Sequence, residues 1–372
     1  VQYGGAERVL EAFCEIWPQA PIYTLIHAPE RVHHRFDKKT VRTSYLQKIP
    51  FSKTHHRLFP PLMMTAIEQF DLDYYDIVLS DSSSFAKNVI TSPNTLHISY
   101  CHTPIRYGWD GCQSYIQEFS FPSLVKKLVP FAMNYIRVWD FYSTFGVDYF
   151  IANSNFVASR IAKYYKRKST VINPPVDVDN FYISPAEKIE NYFLIVGRMM
   201  KYKKMDLAIE AFNQMKLPLK IVGRGVEYKN LKKIAGPTIE FLGRVSDEKL
   251  REIYSRAQAF IFPQEEDFGI VAIEALASGR PVIAFRAGDI AENIKDGESG
   301  VLFERQTVSD IIEAVKRFEK MKFNPQKIRQ ASLRFSKKRF KREIKEFVEK
   351  AFEEKQKEKD FSRKKQRQGK DW

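Results

Sequence analysis

A chain of 372 residues is too long for one ordinary hydrophobic core and suits two domains of the usual size. With 44% hydrophobic and 28% charged residues it is not a disordered polymer, and its three cysteines, Cys14, Cys101 and Cys112, form no C-x-x-C pair, which excludes a disulfide framework and fits a reducing cytoplasm. No run approaches about 18 consecutive apolar residues, so a spanning helix is not supported, and a net charge of +15 points to anionic partners: nucleotide phosphates, acidic headgroups or nucleic acid.

The chain opens on Val1-Gln2-Tyr3-Gly4-Gly5. Two glycines directly before a helix allow close backbone approach to an anion, and they equally fit a plain turn. A doubly wound domain normally feeds such glycines from a strand, so a first strand is expected to be missing here. Strands are predicted over residues 21–25, 75–80, 96–100, 147–151 and 170–172, which makes the first half an α/β domain. Two segments mix aromatic and basic residues: 45–64, with Lys48, Phe51, Lys53, Arg57 and Phe59, and 119–145, with Lys126, Lys127, Arg137, Trp139 and Tyr142. Such segments suit a headgroup layer or a core helix with a basic outer face. The proline-rich Asn173-Pro174-Pro175-Val176-Asp177 disfavours helix and central strand alike and is the expected hinge, with a cleft beside it.

The second half alternates more regularly. Apolar runs over 192–197, 219–223, 239–243, 259–263, 281–285 and 301–303 interleave with helical segments over 206–215, 227–234, 247–256, 268–278 and 309–320, the pattern of a parallel sheet wound on both faces. Ser246 is a plausible helix cap and Gly279 a helix stop. Near the end, Phe340, Ile344, Phe347, Val348 and Ala351 recur at helical spacing after Ser336 and give one amphipathic helix, followed by a charged tail. The expected division is 1–174, 175–330, a helix over 331–352 and a tail over 353–372.

The residues that can carry chemistry sit at strand ends. In the second half, Glu266 and Glu274 lie eight apart across a helix start, with Phe268, Gly269, Ile270 and Val271 between them. Gly269 lets the backbone turn and leaves the first amides of the helix free for a phosphate or hydroxyl. Glu274, among Ile273, Ala275, Leu276 and Ala277, is expected to be partly buried, where a ribose diol is a natural partner. A capping carboxylate and a surface charge would fit the same pattern. Arg198 and Lys203 follow the strand ending at Gly197 and suit a diphosphate, the arginine by bidentate bonds and the lysine as a point charge, or else decorate a solvated loop. His102 follows the strand 96–100 at the end where such sheets bind ligands. The seven histidines, 27, 33, 34, 55, 56, 97 and 102, lack metal-site spacing, and Asp71-Leu72-Asp73 and Asp177-Val178-Asp179 read as turns, so no metal and no cofactor are expected.

Taken in order, Gly4-Gly5-Ala6-Glu7, His102 in Tyr-Cys-His-Thr-Pro, Asn153-Ser154, Pro174-Pro175-Val176-Asp177, Gly197-Arg198 with Lys203, Phe241-Leu242-Gly243 and the pair Glu266/Glu274 resemble the GT-B glycosyltransferases of family four, and within it the mannosyltransferases of polysaccharide and lipid-linked glycan assembly. The resemblance implies an α/β GT-B fold: two Rossmann-like doubly wound domains facing a cleft, with a C-terminal helix crossing back to the first domain. It implies a retaining, metal-independent hexosyltransferase taking mannose from GDP-mannose to a saccharide or polyprenyl-linked acceptor. The alternatives are a UDP-sugar-dependent transferase of the same fold and a non-catalytic nucleotide-sugar-binding subunit. By the same resemblance His102, Arg198, Lys203 and Glu266 are catalytic. Gly4, Gly5, Arg198, Lys203, Arg244, Glu266, Phe268, Gly269, Ile270, Val271 and Glu274 bind the donor. The expected setting is cytoplasmic, peripheral at the inner face of an anionic membrane, with no nucleic-acid partner.

Overall fold

The computed structural model describes residues 4–32, 34–55, 60–110 and 123–368; Val1 to Tyr3, His33, His56, Arg57, Phe59, Cys112 and Phe119, singled out above, lie outside them. The chain divides into two compact units, Val1–Asn173 with Phe340–Trp372, and Pro174–Arg339.

In the first unit, β1 (Ile22–Thr24) pairs in parallel with β2 (Val41–Thr43), and β3 (Ile77–Ser82), β4 (Leu96–Cys101), β5 (Tyr149–Ala152) and β6 (Ser169–Val171) form a parallel sheet in that order. Every residue of β4 is buried, as expected for a strand covered on both faces. One face packs Leu96, Ile98 and Tyr100 against Val9 and Phe13 of the first helix, Gly5–Ile16, and against Phe340, Ile344 and Val348 of the last helix. Phe340 stacks on Phe13 at 5.8 Å and meets Tyr100 edge-on at 5.8 Å, so the C-terminal helix packs back onto the first unit. That helix runs Lys337–Gln368 and begins with the Arg339 amide donating to Ser336 Oγ at 3.4 Å. The residues from 353 onward, read above as a tail, are therefore helical as far as Gln368. A buried ion pair braces the long helix Ser123–Tyr142: Lys87 Nζ lies 2.7 Å from Asp140 Oδ1, while Trp109 Nε1 and Tyr165 Oη donate to Asp140 Oδ2 at 2.8 and 2.9 Å.

The second unit is built on six parallel strands, β7 (Phe193–Val196), β8 (Leu219–Val222), β9 (Ile239–Gly243), β10 (Phe260–Phe262), β11 (Val282–Phe285) and β12 (Gly300–Phe303), in the order β12-β11-β10-β7-β8-β9. Successive side chains alternate between two cores. Leu194, Phe260, Phe262 and Val282 enter one with the helices Asp247–Arg256 and Ile270–Ala277; Phe193, Ile195, Ile261 and Ile283 enter the other with Met205–Met215 and Val308–Glu319. Ser246 caps its helix through the Lys249 amide at 3.2 Å, and Gly279 ends another at φ +69°. The strand order reverses between β7 and β10, the first and fourth strands of this unit. Chains leaving those two strands diverge to opposite sides and open a crevice at their carboxyl ends.

The β7 and β8 ends approach so closely that a Cβ on Gly223, at φ +135°, would stand 1.9 Å from the Gly197 carbonyl oxygen. Gly223→Ala is expected to destabilise the protein by roughly 2–5 kcal/mol through strain and overpacking. Urea denaturation measures it; a loss of only a few tenths would contradict the close approach.

Candidate functional site

At the switch point of the second unit, Gly197 follows β7 and a 3-10 turn, Lys201–Lys203, carries Lys203 inward, where it is 7% exposed. From β10, residues Pro263 to Gly269 deliver Glu266, and Lys203 Nζ forms an ion pair with Glu266 Oε1. Gly197 takes φ +156°, a backbone conformation that favours glycine, as the chain leaves β7 toward Lys203. The loop bearing Glu266 is held from behind: its carbonyl accepts from the Asp289 amide at 3.2 Å, and Gly288 lies so close that a Cβ would stand 2.3 Å from that same oxygen.

Gly269 takes φ +79° as the N-cap of Ile270–Ala277, with no side chain capping it. The carbonyl of Gly269 accepts from Ala272 and Ile273, whereas the first amides of any helix lack intrahelical acceptors and point outward with the positive end of the dipole. Phe268 is buried, edge-on to Phe335 at 5.4 Å, and Ile270 and Val271 are half-buried. Glu274 is 1% exposed, and the Tyr254 hydroxyl stands 3.1 Å from both Glu274 Oε2 and the Val271 carbonyl. Its single hydrogen serves one acceptor at a time. Arg198 is exposed at the β7 end, and Arg244 is exposed just past β9, two strands from the switch point.

The candidates of the first unit form their own cluster. His102 Nε2 lies 2.5 Å from Asp81 Oδ1, at the carboxyl ends of neighbouring strands β4 and β3, and the His102 carbonyl accepts from Asn153 Nδ2 at 3.0 Å. Gly4 is extended, at φ −162°, and caps the helix that carries Glu7. Burial lifts the Glu7 carboxyl above the usual carboxylate range, and the nearby charge of Asp81 adds to this. Asp81, Tyr254 and Asp289 were not singled out by sequence reasoning. Their only signal was position: Asp81 lies in Ser80-Asp81-Ser82 at a strand end, where polar residues interrupt an apolar run.

The turn readings hold locally: the Asp73 amide donates to Asp71 Oδ1 at 3.3 Å, and Asn180 Nδ2 donates to Asp177 Oδ2 at 2.5 Å. Among the described residues no three His, Cys, Asp or Glu side chains are gathered to hold a metal ion, and no helix is long and apolar enough to cross a membrane.

Asp289 is 2% exposed, and its side chain accepts from Asn293 Nδ2, whose own Oδ1 accepts from Arg334 at 2.7 Å. Burial foremost, then the charge of Glu292, pushes its carboxyl up to about 7 from an ordinary 3.8. A raised folded-state value means stability is fully present below about 4 and is lost as pH rises through about 7. Asp289→Asn should therefore gain on wild type, by up to a few kcal/mol at about 1.4 kcal/mol per unit, when melting is compared at pH 8 but not at pH 4. An equal difference at both pH values would contradict this.

Residues 179–335 match the family model described as Glycosyl transferases group 1, and residues 3–180 match the model described as Glycosyltransferase Family 4. The chain is 29% identical over 179 residues to an uncharacterized glycosyltransferase, MJ1178, of Methanocaldococcus jannaschii, covering 47% of this chain and 50% of that protein. To a D-inositol 3-phosphate glycosyltransferase of Geodermatophilus obscurus it is 30% identical over 203 residues, covering 45% of each. The chain thus spans about half the length of the curated relatives it matches. Among solved structures, Anabaena Alr3699/HepE, crystallised with UDP and glucose, shares the fold with a TM-score of 0.67 at 16% identity, covering 94% of this chain and 98% of that one.

Proposed function

We propose that this chain, which belongs to the GT-B glycosyltransferases of group 1 and family 4, transfers a hexose from a UDP-sugar to a saccharide or lipid-linked acceptor with retention of configuration. The observation that carries the proposal is the meeting of Lys203, Glu266 and the Gly269 helix start at one switch point. UDP as the nucleotide rests on the Anabaena structures, which hold UDP or UDP-glucose. It replaces GDP-mannose, the expectation from the sequence. A specific observation keeps that donor as second reading: a Mycobacterium tuberculosis relative, 26% identical over 200 residues, is named as GDP-mannose-dependent.

In this reading the glycosyl C1–O bond to the β-phosphate breaks, its electron pair leaving with UDP. The acceptor oxygen forms the new bond on the same face, and its proton passes to the departing phosphate. Lys203 and Arg198 neutralise the growing negative charge, and the amides at Phe268 to Val271 add the helix dipole. Glu266 holds sugar hydroxyls while keeping Lys203 in place. Glu274, fixed by Tyr254, accepts from the ribose diol, and the backbone about Arg244 meets the base. For His102, oriented by Asp81, the role is a hydrogen bond to a sugar hydroxyl, and Gly4 and Gly5 leave backbone amides accessible to phosphate.

Turnover with a panel of UDP- and GDP-sugars tests the donor. A UDP-sugar should be consumed in preference to GDP-mannose, and the reverse preference would overturn the nucleotide. Lys203→Ala should lower kcat on the preferred donor by roughly 10²–10³, the usual cost of one transition-state donor. If wild type binds donor but Glu266→Ala leaves its slow hydrolysis unchanged, the chain is a binding subunit and not a transferase.

A further inference from the structure

Behind the Glu266 loop runs a chain of hydrogen bonds that no proposed step uses. It starts at the loop itself, where the Glu266 carbonyl accepts from the Asp289 amide at 3.2 Å. Asp289 precedes the short helix Ile290–Asn293, yet its carboxylate makes no cap there. It accepts instead from Asn293 Nδ2, and Asn293 Oδ1 accepts from Arg334 Nη2 at 2.7 Å. A guanidinium can only donate, so Arg334 fixes the carbonyl end of the buried Asn293 side chain toward itself and the amine end toward Asp289.

The far end of this chain is anchored. Arg334 sits in the 3-10 turn Leu333–Phe335, its guanidinium carbon 4.7 Å above the Phe335 ring centroid. Phe335 is buried against Phe268, and its carbonyl accepts from the Val176 amide at 2.9 Å. Earlier on the same stretch, in the helix Pro325–Ser332, Arg329 Nη1 donates to the carbonyls of Phe181 and Ala277, and Nη2 donates to that of Val178 at 3.1 Å. Ala277 ends the helix Ile270–Ala277, where a cation suits the negative pole. Residues 325–335 thereby grip that helix at its last turn and at Phe268, just before its start, and reach through Arg334 to the loop that carries Glu266. What sets the chain apart from ordinary packing is where it ends, on the backbone of the residue whose carboxylate meets Lys203. A displaced carbonyl carries its own side chain with it, and misplacing a substrate-holding group by about 1 Å can cost on the order of 10² in rate.

We infer that Arg334 and Asn293 are positioning residues for sugar transfer: acting through Asp289, they hold the Glu266 carboxylate at its station for the donor sugar. The inference rests on the reading of Glu266 as the group that holds sugar hydroxyls. Two measurements on the full chain test it: UDP affinity by calorimetry, and slow hydrolysis of the UDP-sugar that wild type consumes best. Arg334→Met should lower kcat by about tenfold or more while the UDP Kd stays within about threefold, because UDP is held by Lys203, Glu274 and the helix amides. Arg334→Lys, which keeps a cation, should recover most of the rate. Asn293→Leu should match Arg334→Met, and the double variant should be no slower than either, since both cut the same chain. Melting temperature checks folding; Arg334 is exposed, so its variants carry the test should Asn293→Leu fail to fold. Unchanged kcat in folded Arg334→Met, additive losses in the double variant, or an equal loss of UDP affinity would overturn the inference and leave the donor reading in place. Wild type that binds no UDP and consumes no UDP-sugar would overturn the donor reading and the inference with it.

Discussion

The ion pair between Lys203 and Glu266 joins the two strands at which the second sheet changes direction. Everything proposed for the site depends on that constraint. A lysine buried to this degree is costly without a partner, and a carboxylate brought against it satisfies the charge. The pair is set by backbone more than by side chains. Gly197 turns the chain at φ +156° as it leaves β7, Gly288 lets a second loop press on the Glu266 carbonyl, and Gly269 turns the chain into its helix. Cation, carboxylate and helix dipole are thereby fixed before any ligand arrives, the condition under which electrostatic stabilisation is strongest.

Much of the second unit was legible in the sequence. Strands buried on both faces read as unbroken apolar runs, and Ser246 and Gly279 mark helix ends by chemistry that survives any tertiary context. Lys203 and Glu266 could be named because each follows such a run at the strand end where ligands bind. Their contact could not be read, since it depends on β7 and β10 being neighbours although two strands lie between them in sequence. Tyr254 was invisible for the same reason: it reaches Glu274 from a different helix.

Other features escaped for local reasons. The strand Val41–Thr43 has only three residues, two of them exposed, and leaves no apolar run to detect. The last helix continues past Ala351 through residues rich in Glu and Lys, whose helix propensity is high although their hydrophobic periodicity has faded. The sequence shows that Ser123–Tyr142 mixes aromatic and basic residues. Which rings face outward became clear only once Val129, Met133 and Ile136 were seen to be buried.

The most direct measurement of the central claim is a crystal structure of the protein with UDP. The account predicts the diphosphate against Lys203 Nζ and the amides of Gly269 and Ile270, with the ribose at Glu274. UDP lodged away from the β7 and β10 ends, with the Lys203–Glu266 pair undisturbed and no anion beside it, would contradict the account.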